Sequence, residues 1–83
     1  MDAMILSPDL ESRTRLRELL SEASGFGVIK IMSTLTEGLQ RLFAGEHYGS
    51  FFIASLFGYD VVREFIRKSK ETKAGCDAAY VMT

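Results

Sequence analysis

The stretch Phe51-Phe52-Ile53-Ala54 decides the fold. It stands between the loop His47-Tyr48-Gly49-Ser50 and Leu56-Phe57-Gly58-Tyr59. Four apolar residues in succession, with no polar alternation, describe a strand buried on both faces, as in the middle of a parallel sheet. Three other apolar runs read as strands. Ala3-Met4-Ile5-Leu6 stops at Ser7-Pro8-Asp9, where the proline holds Ser7 in extended geometry. Val28-Ile29-Lys30-Ile31-Met32 is rich in β-branched residues. Ala78-Ala79-Tyr80-Val81-Met82 is the fourth, followed by Thr83.

Helical spacing fills the intervals. Pro8 suits a first helical position, with Ser7 as N-cap and Asp9 beside the positive helix end. Leu16, Leu19, Leu20 and Ala23 then recur at helical spacing. Arg13, Arg15, Arg17, Glu18 and Glu22 mostly take the opposite face. This predicts a helix over 8–24, closed by Gly25-Phe26-Gly27. Ser33 or Thr34 caps a second helix with the stripe Leu35, Leu39, Leu42 and Phe43, and Gly45 is its stop. Val61, Val62, Phe65 and Ile66 mark a third, ringed by Arg63, Glu64, Arg67, Lys68 and Lys70. Thr72 to Asp77 is a polar loop containing Gly75. The order β-α-β-α-β-α-β implies an α/β fold, a parallel sheet with helices on both faces, because each crossover is right-handed.

Composition narrows the function classes. Eighty-three residues support one domain, 1–83. A hydrophobic fraction of 47% argues against intrinsic disorder. No apolar run reaches the ~18 residues of a membrane span. Met1-Asp2-Ala3-Met4 has no basic n-region, so a secretory signal is not expected. Ten basic and eleven acidic residues nearly cancel, which removes the main warrant for direct nucleic-acid binding. Cys76 stands alone, without an internal disulfide partner or a C-x-x-C motif, and a reducing cytoplasm is expected.

The chain from Ala3 to Thr83 resembles a receiver domain of the response-regulator (CheY-like) family. Met4-Ile5-Leu6 is similar to the family's first strand, and Leu16-Arg17-Glu18-Leu19-Leu20 to the core of its first helix. Gly45-Glu46-His47-Tyr48 is similar to the approach to the third strand. Val62-Arg63-Glu64-Phe65-Ile66-Arg67-Lys68 is similar to the third helix, and Tyr80-Val81-Met82-Thr83 to the fourth strand with its terminal Thr or Ser. The resemblance implies a flavodoxin-like, three-layer fold with a four-stranded sheet of order 2-1-3-4 and three helices. It lacks the last part of the family fold.

The family's chemistry is phosphoryl transfer to an aspartate. It uses an acidic pair on Mg²⁺, a nucleophilic Asp after the third strand, and a Thr or Ser and a Lys on the phosphoryl group. This chain departs at those positions. Ser7 and Pro8 fall where the acidic pair belongs, and Asp9 is the residual acid, displaced into the helix. Ser55, or Ala54 with a one-residue shift, falls where the phospho-acceptor belongs, and neither forms an acyl phosphate. Thr83 alone matches the switch set.

The resemblance therefore implies a pseudo-receiver in bacterial signal transduction. It is not an enzyme, has no cofactor and no metal, and acts by protein–protein interaction or homodimerisation. Two alternatives stay open: an N-terminal regulatory fragment of a larger response regulator, and an atypical phosphotransfer receiver using a displaced acid, Asp9 or Asp60.

Other residues read more plainly. A lone carboxylate is a poor Mg²⁺ site, so Asp9 reads as helix-start stabilisation. Ser55 reads as a turn residue and His47 as a solvated loop residue. Arg63, Arg67, Lys68, Lys70 and Lys73, interrupted by Glu64 and Glu71, read as a solvated face. The segment Ala78, Ala79, Tyr80, Val81 and Met82 is expected to be an open apolar edge. Such an edge suits self-association unless a fifth strand follows.

Overall fold

The computed structural model describes residues 2–22, 25 and 27–83. Met1, and the expected helix end at Ala23 and Ser24 with Phe26 of its closing loop, lie outside the described residues. Four parallel strands, β1 (Ala3–Leu6), β2 (Ile29–Met32), β3 (Ser50–Ile53) and β4 (Ala79–Met82), lie in the order β2-β1-β3-β4. Three helices, α1 (Leu10–Glu22), α2 (Leu35–Phe43) and α3 (Tyr59–Lys70), make the crossovers. The expected α/β class and strand order are thus present, and the architecture is compatible with a flavodoxin-like fold.

The register follows from the apolar runs. Ile5 lies between Ile31 on β2 and Phe52 on β3, and Phe52 pairs in turn with Val81 on β4. Strand β1, hydrogen-bonded on both sides, is buried at all four residues. One face carries the larger core: Met4, Leu6, Met32, Leu42, Phe51, Ile53, Val62 and Phe65, under α2 and α3. Phe51 is its hub, stacked on Tyr80 with ring centres 5.0 Å apart and edge-on to Tyr48 and Phe65. The other face holds Ala3, Ile5 and Leu20, with Leu16, Ile29, Ile31 and Phe52 packed against them under α1.

Several expectations are corrected. The first helix starts at Leu10, two residues later than Pro8, and its cap is not Ser7. The Asp9 carboxylate accepts from Ser12 N–H at 2.9 Å, so Asp9 caps the helix and Pro8 precedes it. Ser50, expected in the loop, opens β3 and Ala54 follows it; Val28 and Ala78 fall just outside β2 and β4. Burial of β3 on both faces is incomplete. Phe52 is only half-buried, because α1 packs on β1 and β2 and one helix spans about two strands. Three stripe residues also face outward: Leu19 is 57% exposed, Phe43 70% and Val61 53%. A single 3-10 turn, Ser55–Phe57, joins β3 to α3 where no helix was expected.

Local chemistry fixes the ends. Thr34 caps α2, its hydroxyl accepting from Glu37 N–H at 3.2 Å, and Gly45 stops that helix with a φ of +90°. Gly38 in the middle of α2 is a packing residue. A Cβ there would sit 2.5 Å from Leu6 Cδ2 and 3.2 Å from Phe65 Cε1, so its lack of a side chain lets α2 lie close to β1 and α3.

Candidate functional site

In an open parallel sheet, ligands and reacting groups gather outside the carboxyl ends of the strands. Here the residues directly after the strands are Ser33 (β2), Ser7 (β1), Ala54 (β3) and Thr83 (β4). The ladder continues through them. Ser7 N–H donates to Met32 O at 3.1 Å, Ala54 N–H to Leu6 O at 2.9 Å and Thr83 N–H to Ile53 O at 2.8 Å. The row is therefore held by backbone, and its side chains are two serines, a methyl group and a threonine. None is a carboxylate, so the row offers no hard anionic ligand to a divalent cation.

Ser7 is fully buried and committed to its own loop. Its Oγ accepts from Asp9 N–H at 3.3 Å and donates to Asp9 O at 3.4 Å. Its carbonyl accepts from Arg13 Nη1 at 2.8 Å. Pro8 is exposed and brings no side-chain ligand atom. Asp9 is exposed, and one of its carboxylate oxygens is occupied by the α1 cap. Ala54 is buried, whereas Ser55 is exposed and its N–H donates to Thr83 O at 2.9 Å. The structure thus brings Ser7, Ala54/Ser55 and Thr83 to one end of the sheet. A cleft of about 330 Å³ lies beside them, lined by Asp9, Glu11, Ser12, Arg15 and Leu56. Its exposed Glu11–Arg15 pair, 3.7 Å apart, is a helix-surface ion pair. Among the described residues, no group of three His, Cys, Asp or Glu is placed to hold a metal ion. No described helix is long and apolar enough to cross a membrane.

Part of the basic face on α3 is engaged internally. The Arg67 guanidinium binds Glu64 and, at 2.8 Å, Glu71. Arg63 lies over the Tyr59 ring at 4.9 Å and Lys70 over Tyr80 at 5.7 Å. Cys76 is exposed and free, and His47 is exposed.

Two polar clusters escaped the sequence reading. The Tyr48 hydroxyl donates to Glu46 at 2.6 Å, and Arg41 binds the same carboxylate at 3.2 Å. The phenol holds the Glu46 carboxyl below its usual range, while burial, then Glu46 itself, pushes the Tyr48 phenol up. The second cluster seats the loop before β4. Thr72 Oγ1 donates to Ser69 O at 2.7 Å and accepts from Gly75 N–H at 2.9 Å, and the Tyr80 hydroxyl donates to Gly75 O at 2.8 Å. A Cβ on Gly75 would collide with the Ser69 carbonyl, so this loop closes onto α3 only with glycine there. A tyrosine flanked by His47 and Gly49 carries a loop signature, which conceals that Tyr48 is core.

Strand β4 is one edge of the sheet and β2 the other. Of the expected interface, Ala79, Tyr80, Val81 and Met82 lie on β4 and Ala78 just before it, with Val81 43% and Met82 38% exposed. No protein-family model, curated protein or solved structure matches the chain.

Proposed function

We propose that this chain is a pseudo-receiver: a CheY-like, flavodoxin-like domain of bacterial cytoplasmic signal transduction that acts through contacts with protein and not through aspartyl phosphorylation. The observation that carries the reading is the row at the strand ends. Ser7, Ala54 and Thr83 stand side by side on a parallel sheet of order 2-1-3-4, with Pro8 and Ser55 beside them. In a receiver, that row holds the acidic pair, the acceptor and the hydroxyl switch. This chain keeps the hydroxyl at Thr83 and has no carboxylate at the other places. A serine or alanine side chain at the end of β3 cannot become an acyl phosphate. Asp9, three residues after β1, already accepts a backbone hydrogen bond that stabilises α1.

The test is incubation with acetyl phosphate and Mg²⁺, followed by intact-mass measurement. The expected mass is unchanged. Stoichiometric gain of one phosphoryl group would overturn the reading, and its loss in Asp9→Asn or Asp60→Asn would identify a displaced acceptor.

A further inference from the structure

Helices α2 and α3 pack side by side over the larger core and leave a groove of about 330 Å³ along their seam. Its walls are two apolar rows at four-residue spacing, Leu35 and Leu39 on α2 and Val61 and Phe65 on α3. Val61 is half-exposed, and the α2 row runs on to exposed Phe43. A groove of this shape takes the apolar face of an amphipathic helix. The charges beside it are distributed unequally. Of the six charged residues on α3, four are engaged within the chain: Arg67 with Glu64, Arg63 over Tyr59 and Lys70 over Tyr80. The other two, Asp60 and Lys68, make no ion pair or ring contact among the described residues. They act only at longer range, Asp60 on Arg63 and Lys68 on Glu64. Both line the groove, and eight residues of helix set them about 12 Å apart along its length.

We infer that this groove receives α3 of a second copy, laid antiparallel about a two-fold axis near Glu64. This deepens the protein-contact reading above and rests on it. The order of the charges selects a second copy as the occupant. Turning α3 over sets Asp60 against Lys68 of the second copy and Lys68 against its Asp60, so each unpaired group meets its opposite. A parallel arrangement sets acid against acid and base against base, so the charges also choose the direction. Glu64 meets its own copy at the axis, where Arg67 already neutralises each carboxylate. Between the two ends, Val61 of each copy enters the other's groove, and the exposed parts of Leu35 and Leu39 leave water with it. A foreign helix would need an acid, an apolar row and a base in the reverse order, and this chain supplies that order itself.

Charge reversal tests the partner and the direction together. Light scattering is expected to give a dimer mass for the native chain. Asp60→Lys and Lys68→Glu each place like charges at both ends of the contact. Each alone is expected to be monomeric with an unchanged circular dichroism spectrum. Mixed in equal amounts, the two variants bring opposite charges together at both ends. Native mass spectrometry is then expected to find dimers holding one chain of each. Val61→Lys, at an exposed position, is expected to give a folded monomer by removing the apolar contact. A native chain that stays monomeric at its highest soluble concentration would overturn the inference. So would a dimer that survives Asp60→Lys, Lys68→Glu and Val61→Lys alike, or folded single variants that stay monomeric when mixed. A native monomer that takes up no phosphoryl group from acetyl phosphate removes the interface alone. A dimer that passes the mixing test and becomes phosphorylated removes the pseudo-receiver reading alone.

Discussion

Gly38 shows how one residue sets the spacing of a layer. Alanine there gains helix propensity of about 1 kcal/mol, but its methyl group enters space held by Leu6 and Phe65. Overpacking of that kind costs about 1–3 kcal/mol, so Gly38→Ala is expected to lower stability by about 1 kcal/mol net, read from the urea midpoint. Tyr48 and Glu46 give the molecule a pH signature. The Glu46 carboxyl lies below its ordinary value when folded, so its contribution is full above that range and is lost as pH falls through it. The Tyr48 phenol lies above its ordinary value, so its contribution is full below about pH 10 and is lost as pH rises past it. Tyr48→Phe is expected to raise the Glu46 titration midpoint towards the ordinary carboxylate value, followed by NMR. It should also flatten the alkaline limb of the stability curve; an unmoved Glu46 would show that the phenol is not the cause. Burial pushes the Tyr80 phenol the same way, so part of that limb is expected to survive the substitution.

At the scale of elements, Asp9 carries the start of α1. Asp9→Ala is expected to cost about 1 kcal/mol, measured by thermal or urea unfolding. The loss should be the same with and without Mg²⁺; a Mg²⁺-dependent difference would give Asp9 a metal-binding role beyond the cap. The sequence placed a cap in this turn but on the wrong residue. Ser, Pro and Asp all favour helix starts, and only the folded geometry shows that Ser7 Oγ is drawn to the Asp9 backbone while the Asp9 carboxylate reaches Ser12. The strands were legible because four apolar runs stand between glycine, proline and polar breaks. The order 2-1-3-4 came from the resemblance and not from the runs. Burial was less legible. Leu19, Phe43 and Val61 satisfy helical spacing yet point outward, because periodicity marks an apolar arc but not how much of it a neighbour covers. Phe52 sits in an unbroken apolar run for the same reason, on a half of the sheet that α1 does not span. The polar clusters around Tyr48 and Tyr80 join residues from loops and strands whose contact depends on tertiary packing, and no spacing rule reaches them.

For the whole molecule, the helices divide unequally, two over one face and one over the other. A chain that pairs through β4 has stability linked to its own concentration. An unfolding midpoint that rises with protein concentration in the native chain and stays constant in Met82→Pro would show such pairing. A constant midpoint in both would argue against self-association. The ladder between β3 and β4 also determines how solvent deuterium enters the fourth strand. The amides of Ala79, Val81 and Thr83 are bonded inward and exchange only when the edge opens. Those of Tyr80 and Met82 belong to whatever lies outside. A free edge would show protection at alternate residues. A paired one would show a continuous block from Ala79 to Thr83 that breaks into alternation on dilution, so five adjacent amides would report occupancy of the edge and its direction of hydrogen bonding together.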